Sequence, residues 1–96
     1  MREIKAQSRI VAAKDQVSCN LAGESVILNL KNGVYYGLNP MGARIWNLIQ
    51  ERKRVEEVRD QILQEYEVEK EVCERELLAL LSDLEENGLI DVEPDT

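Results

Sequence analysis

Two hydrophobic rhythms meet near Asn39-Pro40. Before it, apolar and polar positions alternate with the period of a half-buried β-strand; after it, apolar residues recur at helical spacing. Ile10 and Val11 open a first strand, and Val17, Cys19 and Leu21 continue the alternation. Ala22-Gly23-Glu24 supplies a turn. In the second strand Val26, Leu28 and Leu30 alternate with Ile27 and Asn29. Asn32-Gly33 then predicts a two-residue type I′ turn, because both central positions of that turn need positive φ. It leads into a third strand, Val34–Leu38, with Val34, Tyr36 and Leu38 on one face and Tyr35 on the other.

Asn39 can cap a helix through its side-chain oxygen, and Pro40 suits the first helical position, where an N–H would have no partner. The first helix carries a stripe of Met41, Ile45, Leu48 and Ile49, with Trp46 on its flank as a core anchor. Arg52-Lys53-Arg54 breaks the pattern and reads as a loop. A second helix follows with Val55, Val58, Ile62 and Tyr66 toward the core. Arg54 is a poor cap for it, partly offset by Glu56 and Glu57 in its first turn. The third helix runs over 70–87 and stops at Asn87-Gly88. Its main apolar arc is Cys73, Leu77, Leu80, Leu81 and Leu84, with Leu78 about 100° from Leu77. Residues 89–92 form a short strand or pack the tail down. Residues 1–8 read as a loose lead-in and 93–96 as a frayed tail of one domain spanning 1–96. The fold class is α+β, a winged-helix-like plan of a three-stranded antiparallel sheet followed by three helices.

Charge changes what that plan can mean. Residues 1–48 hold six basic and three acidic side chains, residues 49–96 six and sixteen, for a net charge of −7. The exposed face expected for the third helix carries Glu71, Glu74, Glu76, Asp83, Glu85 and Glu86. A helix that reads DNA needs Arg, Lys, Asn or Gln there, so nucleic acid is excluded as a partner. The chain has no histidine and only two cysteines, Cys19 and Cys73, in no metal-ligand spacing. Both read as packing residues. No phosphate loop or nucleophile motif is present, so neither a cofactor nor an enzyme is expected. No apolar run approaches the roughly 20 residues that span a bilayer, and the N-terminus has no secretory h-region. The expectation is a soluble cytoplasmic protein.

The third strand carries no charge and no proline. At a sheet edge it would lack the usual devices that stop another chain from pairing with it, and is therefore a candidate docking site for an extended peptide. Residues 1–8 or a second copy of the chain are the competing covers for that edge, giving a monomer or weak dimer. A different class of function also fits: a winged-helix-like regulatory or protein-interaction module that meets a basic partner through its acidic helix, with strong dependence on salt.

The run Val26-Ile27-Leu28-Asn29-Leu30-Lys31-Asn32-Gly33-Val34-Tyr35-Tyr36-Gly37-Leu38-Asn39-Pro40-Met41-Gly42-Ala43-Arg44-Ile45-Trp46 resembles the pyrroloquinoline-quinone synthesis protein D family. Val55-Glu56-Glu57-Val58 and the segment Leu80 to Ile90 fit the same pattern, so the resemblance covers about residues 10–92. It departs at Arg54, where family members often carry a capping threonine. The resemblance implies a non-catalytic recognition element that binds the leader of a ribosomally made, post-translationally modified peptide. The Tyr36-Gly37-Leu38-Asn39 version of the strand is most like stand-alone members of lasso-peptide pathways, which implies a partner leader peptidase and cyclase. It further implies that the leader adds as a strand beside the third strand, under the third helix. Backbone groups of Val34, Tyr35, Tyr36 and Gly37 would then supply the ladder. Cys73, Leu77, Leu78 and Leu81 are the candidates for its apolar pockets and Glu74 for a rim contact. Of the two tyrosines, Tyr35 is the expected contact and Tyr36 the expected core residue. Leu77 and Leu81 are as compatible with the interior as with the groove.

Overall fold

The computed structural model describes residues 4–21 and 24–93. The element order is β1 (Arg9–Ala12), β2 (Gln16–Leu21), β3 (Glu24–Asn29), β4 (Tyr35–Leu38), α1 (Pro40–Leu48), β5 (Lys53–Arg54), α2 (Val55–Glu65), α3 (Lys70–Glu86) and β6 (Ile90–Glu93). The α+β class stands, but the strands build two small antiparallel sheets, ordered β5-β1-β6 and β2-β3-β4. What reads in sequence as one opening strand over 10–21 is split between them. Ile10 pairs with Val92 and Lys53, whereas Val17 pairs with Leu28. Arg52-Lys53-Arg54, expected as loop, contributes the short β5 for the same reason. Such long-range pairing leaves no local signal.

The hairpin between β3 and β4 also differs from a two-residue turn. Asn29 and Val34 close it, with the Asn29 N–H donating to the Val34 carbonyl at 3.0 Å, so Leu30–Gly33 form a four-residue loop. Gly33 sits last in that loop at φ 72°, where a side chain would be strained. Asn29 is why the loop is longer. Its side-chain oxygen accepts from the Lys31 N–H at 2.9 Å, and its amide nitrogen donates to the Asn87 carbonyl at 2.7 Å. These bonds tie the last residue of β3 to the end of α3 and fold the chain into the loop after it.

The helix termini follow the sequence closely. The Asn39 side chain accepts from the Gly42 N–H at 2.7 Å, with Pro40 as the first helical residue. At the end of α3, the Leu89 N–H donates to the Leu84 carbonyl and the Gly88 N–H to the Glu85 carbonyl. These are the two bonds of a Schellman stop, with Gly88 at φ 70°. The start of α2 is satisfied differently. Arg54 offers no acceptor, but the Ser8 and Ala6 carbonyls accept from the N–H groups of Val55 and Glu56, both at 2.9 Å. Glu57 accepts from the Arg54 N–H at 3.0 Å. The described part of the expected loose lead-in is thus tied down: Ile4 and Ser8 are buried, and Ser8 Oγ accepts from the Lys5 N–H.

The core lies where the helices meet both sheets. Ile45, Trp46 and Ile49 from α1 and its end, Val55, Val58 and Ile62 from α2, and Cys73, Leu77, Leu81 and Leu84 from α3 are buried. Ile10, Ile90 and Val92 join them from one sheet, Ile27 and Leu38 from the other. Met41 and Leu48 are only partly covered, so the buried face of α1 is rotated toward Trp46.

Candidate functional site

In the β2-β3-β4 sheet, β4 is an edge that pairs only with β3 among the described residues. Antiparallel pairs alternate between hydrogen-bonded and non-hydrogen-bonded kinds. Since Asn29 and Val34 are a hydrogen-bonded pair, Tyr36 opposite Ile27 and Leu38 opposite Ser25 turn their backbone groups toward β3. The N–H and C=O groups of Tyr35 and Gly37 therefore point away from the sheet. Two residues, not four consecutive ones, offer a ladder to an incoming strand; Val34 and Tyr36 are already engaged.

Beside that edge lies an open recess of about 150 Å³, bounded by Tyr36 and Gly37 on β4, Met41 and Ile45 on α1, and Glu76 and Leu80 on α3. Gly42 permits the close approach of α1: a Cβ there would meet the Asn39 side-chain oxygen at 3.2 Å and a Leu38 methyl at 3.3 Å. The Tyr36 hydroxyl donates a long hydrogen bond, 3.5 Å, to Asp83 on α3. Partial burial, reinforced by that carboxylate, pushes the phenol above its ordinary value. Tyr36 thus remains a neutral donor with an apolar ring on the groove wall. Its neighbour Tyr35 projects from the opposite face of the sheet and is exposed. Tyr36 packs partly against the core, as expected, while its ring also lines the recess beside β4.

The α3 residues expected at the site divide into two groups, and a third set that was not expected flanks the edge strand. Cys73, Leu77 and Leu81 are 2%, 2% and 0% exposed and belong to the core. Burial, and then the neighbouring Glu74, raise the Cys73 thiol, keeping it protonated and inert. Glu74 and Leu78 line a separate recess with Ala6, Val55 and Arg59, where Arg59 pairs with Glu74 at 3.0 Å. Glu76, Leu80 and Asp83 alone flank the β4 edge. Helical phase explains the division. Leu80 and Glu76 lie about 60° and 100° to one side of the Leu77 core direction, Glu74 and Leu78 about as far to the other. Two apolar residues, Leu78 and Leu80, flank the buried stripe, and only tertiary packing decides which of them faces the strand.

Among the described residues, no group of three or more histidine, cysteine, aspartate or glutamate side chains is placed to hold a metal ion. No helix is long and apolar enough to cross a membrane. The Arg44 guanidinium and Glu65 carboxylate form a bidentate pair, both contacts 2.8 Å, that ties α1 to α2 behind the groove. Arg44, with help from Gln61, holds the Glu65 carboxyl down at about 2.

Among curated proteins, none matches this chain. Two solved structures share its fold and much of its sequence. TbiB1 in complex with the TbiA(beta) leader peptide is 38% identical, with a TM-score of 0.77, covering 88% of this chain and 99% of that one. Lasso peptide synthetase B1 complexed with the leader peptide is 27% identical, with a TM-score of 0.75, covering 85% and 96%. The family model for coenzyme PQQ synthesis protein D (PqqD) matches residues 24–90, from the start of β3 to the start of β6. With the edge strand, the α3 groove and both hairpin strands inside that match, this chain belongs to the PqqD family.

Proposed function

We propose that this protein is a non-catalytic adaptor that binds the leader of a ribosomal precursor peptide as an added strand on β4. It presents that leader to a partner peptidase and cyclase of a lasso-peptide pathway. The observation that carries the reading is the open β4 edge set beside an apolar-floored groove, in a chain 38% identical to a protein solved with a leader peptide. Strand addition takes affinity from backbone hydrogen bonds and selectivity from side-chain pockets. Here Tyr35 and Gly37 offer the backbone groups. Tyr36, Leu80 and Ile45 offer the apolar wall, and Glu76 and Asp83 a polar rim. Cys73, Leu77 and Leu81 support that wall from within, while Glu74 and Leu78 stand outside the groove.

The test is a fluorescence-anisotropy titration with the leader half of the precursor encoded beside this chain, followed by amide hydrogen exchange on the complex. Saturable binding is expected, with new protection at the N–H groups of Tyr35 and Gly37 only. Those of Tyr36 and Leu38 are protected with or without the peptide. Binding without any gain at Tyr35 and Gly37 overturns the strand-addition mode. No binding at tens of micromolar overturns the adaptor.

A further inference from the structure

The outer face of the β2-β3-β4 sheet is apolar and uncharged. In an antiparallel sheet with one face on the core, apolar side chains point inward and polar ones outward. In β3 and β4 the inward Ile27 and Leu38 follow that rule, but β2 turns Ser18 inward, where it stays exposed beside an open polar recess with Ser25 and Asn47. Val17 and Cys19 of β2 and Val26 and Leu28 of β3 point outward. Register places Val17, Leu28 and Tyr35 in one outward row and Cys19, Val26 and Gly37 in the next. None of the six is charged. Val17 is 48% and Tyr35 60% exposed, in a chain that carries −7 overall. Two adjoining rows of uncharged side chains with Val17, Cys19 and Tyr35 exposed mark a surface suited to an apolar partner.

We propose that this outer face is the docking surface for the enzyme that receives the leader, which meets it through an uncharged apolar patch of its own. The inference rests on the adaptor reading and extends it to the opposite face of the same sheet. Two properties favour this occupant over a second copy. Three strands about 4.8 Å apart and two rows about 7 Å apart offer on the order of a few hundred Å², well short of the ~800 Å² per partner of a stable interface. Two copies would also bring like net charges together. The face is, in addition, continuous with the leader edge. Tyr35 and Gly37 carry the free backbone groups of β4 and also belong to the outward rows. A leader strand added there widens the patch by one strand, so an enzyme seated on it touches adaptor and leader at once and gains the area that the bare face lacks.

The experiment uses the full chain with Val17→Glu and, separately, Val17→Lys. Each variant is checked for unchanged thermal unfolding and titrated with the leader peptide. It is then supplied to the purified leader peptidase encoded beside the precursor. Leader affinity within twofold of wild type, with leader cleavage at least tenfold slower for both charge signs, is the expected result. Wild-type cleavage rates with leader bound overturn the proposal, as does a loss confined to one sign, which would mark a charged contact. A wild-type dimer in sedimentation that Val17→Glu splits also overturns it, making the second copy the occupant. Failure of the wild-type protein to bind leader appears in the titration alone and overturns the adaptor reading instead.

Discussion

The two sheets have the same number of strands and opposite habits. In β5-β1-β6 the alternation is conventional: Ile10, Ile90 and Val92 are buried, whereas Arg9 and Asp91 face solvent. Its strands come from residues 9–12, 53–54 and 90–93, so it gathers distant parts of the chain and closes the domain. In β2-β3-β4 the strands are sequence neighbours paired antiparallel, the outer strands β2 and β4 pair only with β3 among the described residues, and much of the apolar surface looks outward. One sheet spends its hydrophobic residues on the interior, and the other keeps many of them available. The first sheet thus serves chiefly the core, while the second divides its apolar residues between core and surface.

The sharpest way to break this contrast is to shorten one β-branched residue in each sheet. Ile10→Ala empties a fully buried site and is expected to cost about 2–5 kcal/mol in urea unfolding. Val17→Ala, on the outer face of the other sheet, should stay within about 0.5 kcal/mol. Equal costs would mean that the outer face is covered in the isolated protein. A second comparison separates the two flanks of α3. Leu80→Glu, beside the β4 edge, should weaken leader binding at least tenfold, or about 1.4 kcal/mol, with little change in unfolding. Leu78→Glu should leave leader affinity within twofold. A reversed order would move the groove to the flank that carries Arg59.

The smallest effect concerns α1, which backs the open sheet through its tie to α2. Glu65 is held at about 2, below its ordinary 4.5, so its pairing with Arg44 stabilises the fold above about pH 4.5. That contribution fades as pH falls from there toward 2. An NMR titration of the Glu65 carboxyl carbon should show its midpoint near 2. A midpoint near 4.5 would mean that the pair does not persist in solution, as exposed ion pairs often do not.

Local features of the chain were legible before the fold was. Asn39-Pro40 announced the start of α1, and Asn87-Gly88 the end of α3. The spacing of Val55, Val58 and Ile62 gave the buried face of α2. Each rests on interactions within about four residues. The β1–β6 and β1–β5 pairs were not legible, because their register is set by packing between segments tens of residues apart. The third strand, uncharged and without proline, is an edge of its sheet among the described residues. Which flank of α3 lies beside it was not legible, since Leu78 and Leu80 are equivalent until the helix is docked. Alternation in β2 and β3 identified strands without saying which face points in. Period-two patterning reports that two faces differ, and the core alone decides which is inside.

The pairing of Arg9 with Glu93 has a practical corollary. Neighbouring strands run about 4.8 Å apart, so the start of β1 and the end of β6 lie side by side, on the sheet that does not carry the β4 edge. Such geometry suits transplantation. Spliced into a surface loop of a host protein, the domain would be carried on this pair of strands, with residues 4–8 retained because Ile4 and Ser8 are buried and the Ala6 and Ser8 carbonyls cap α2.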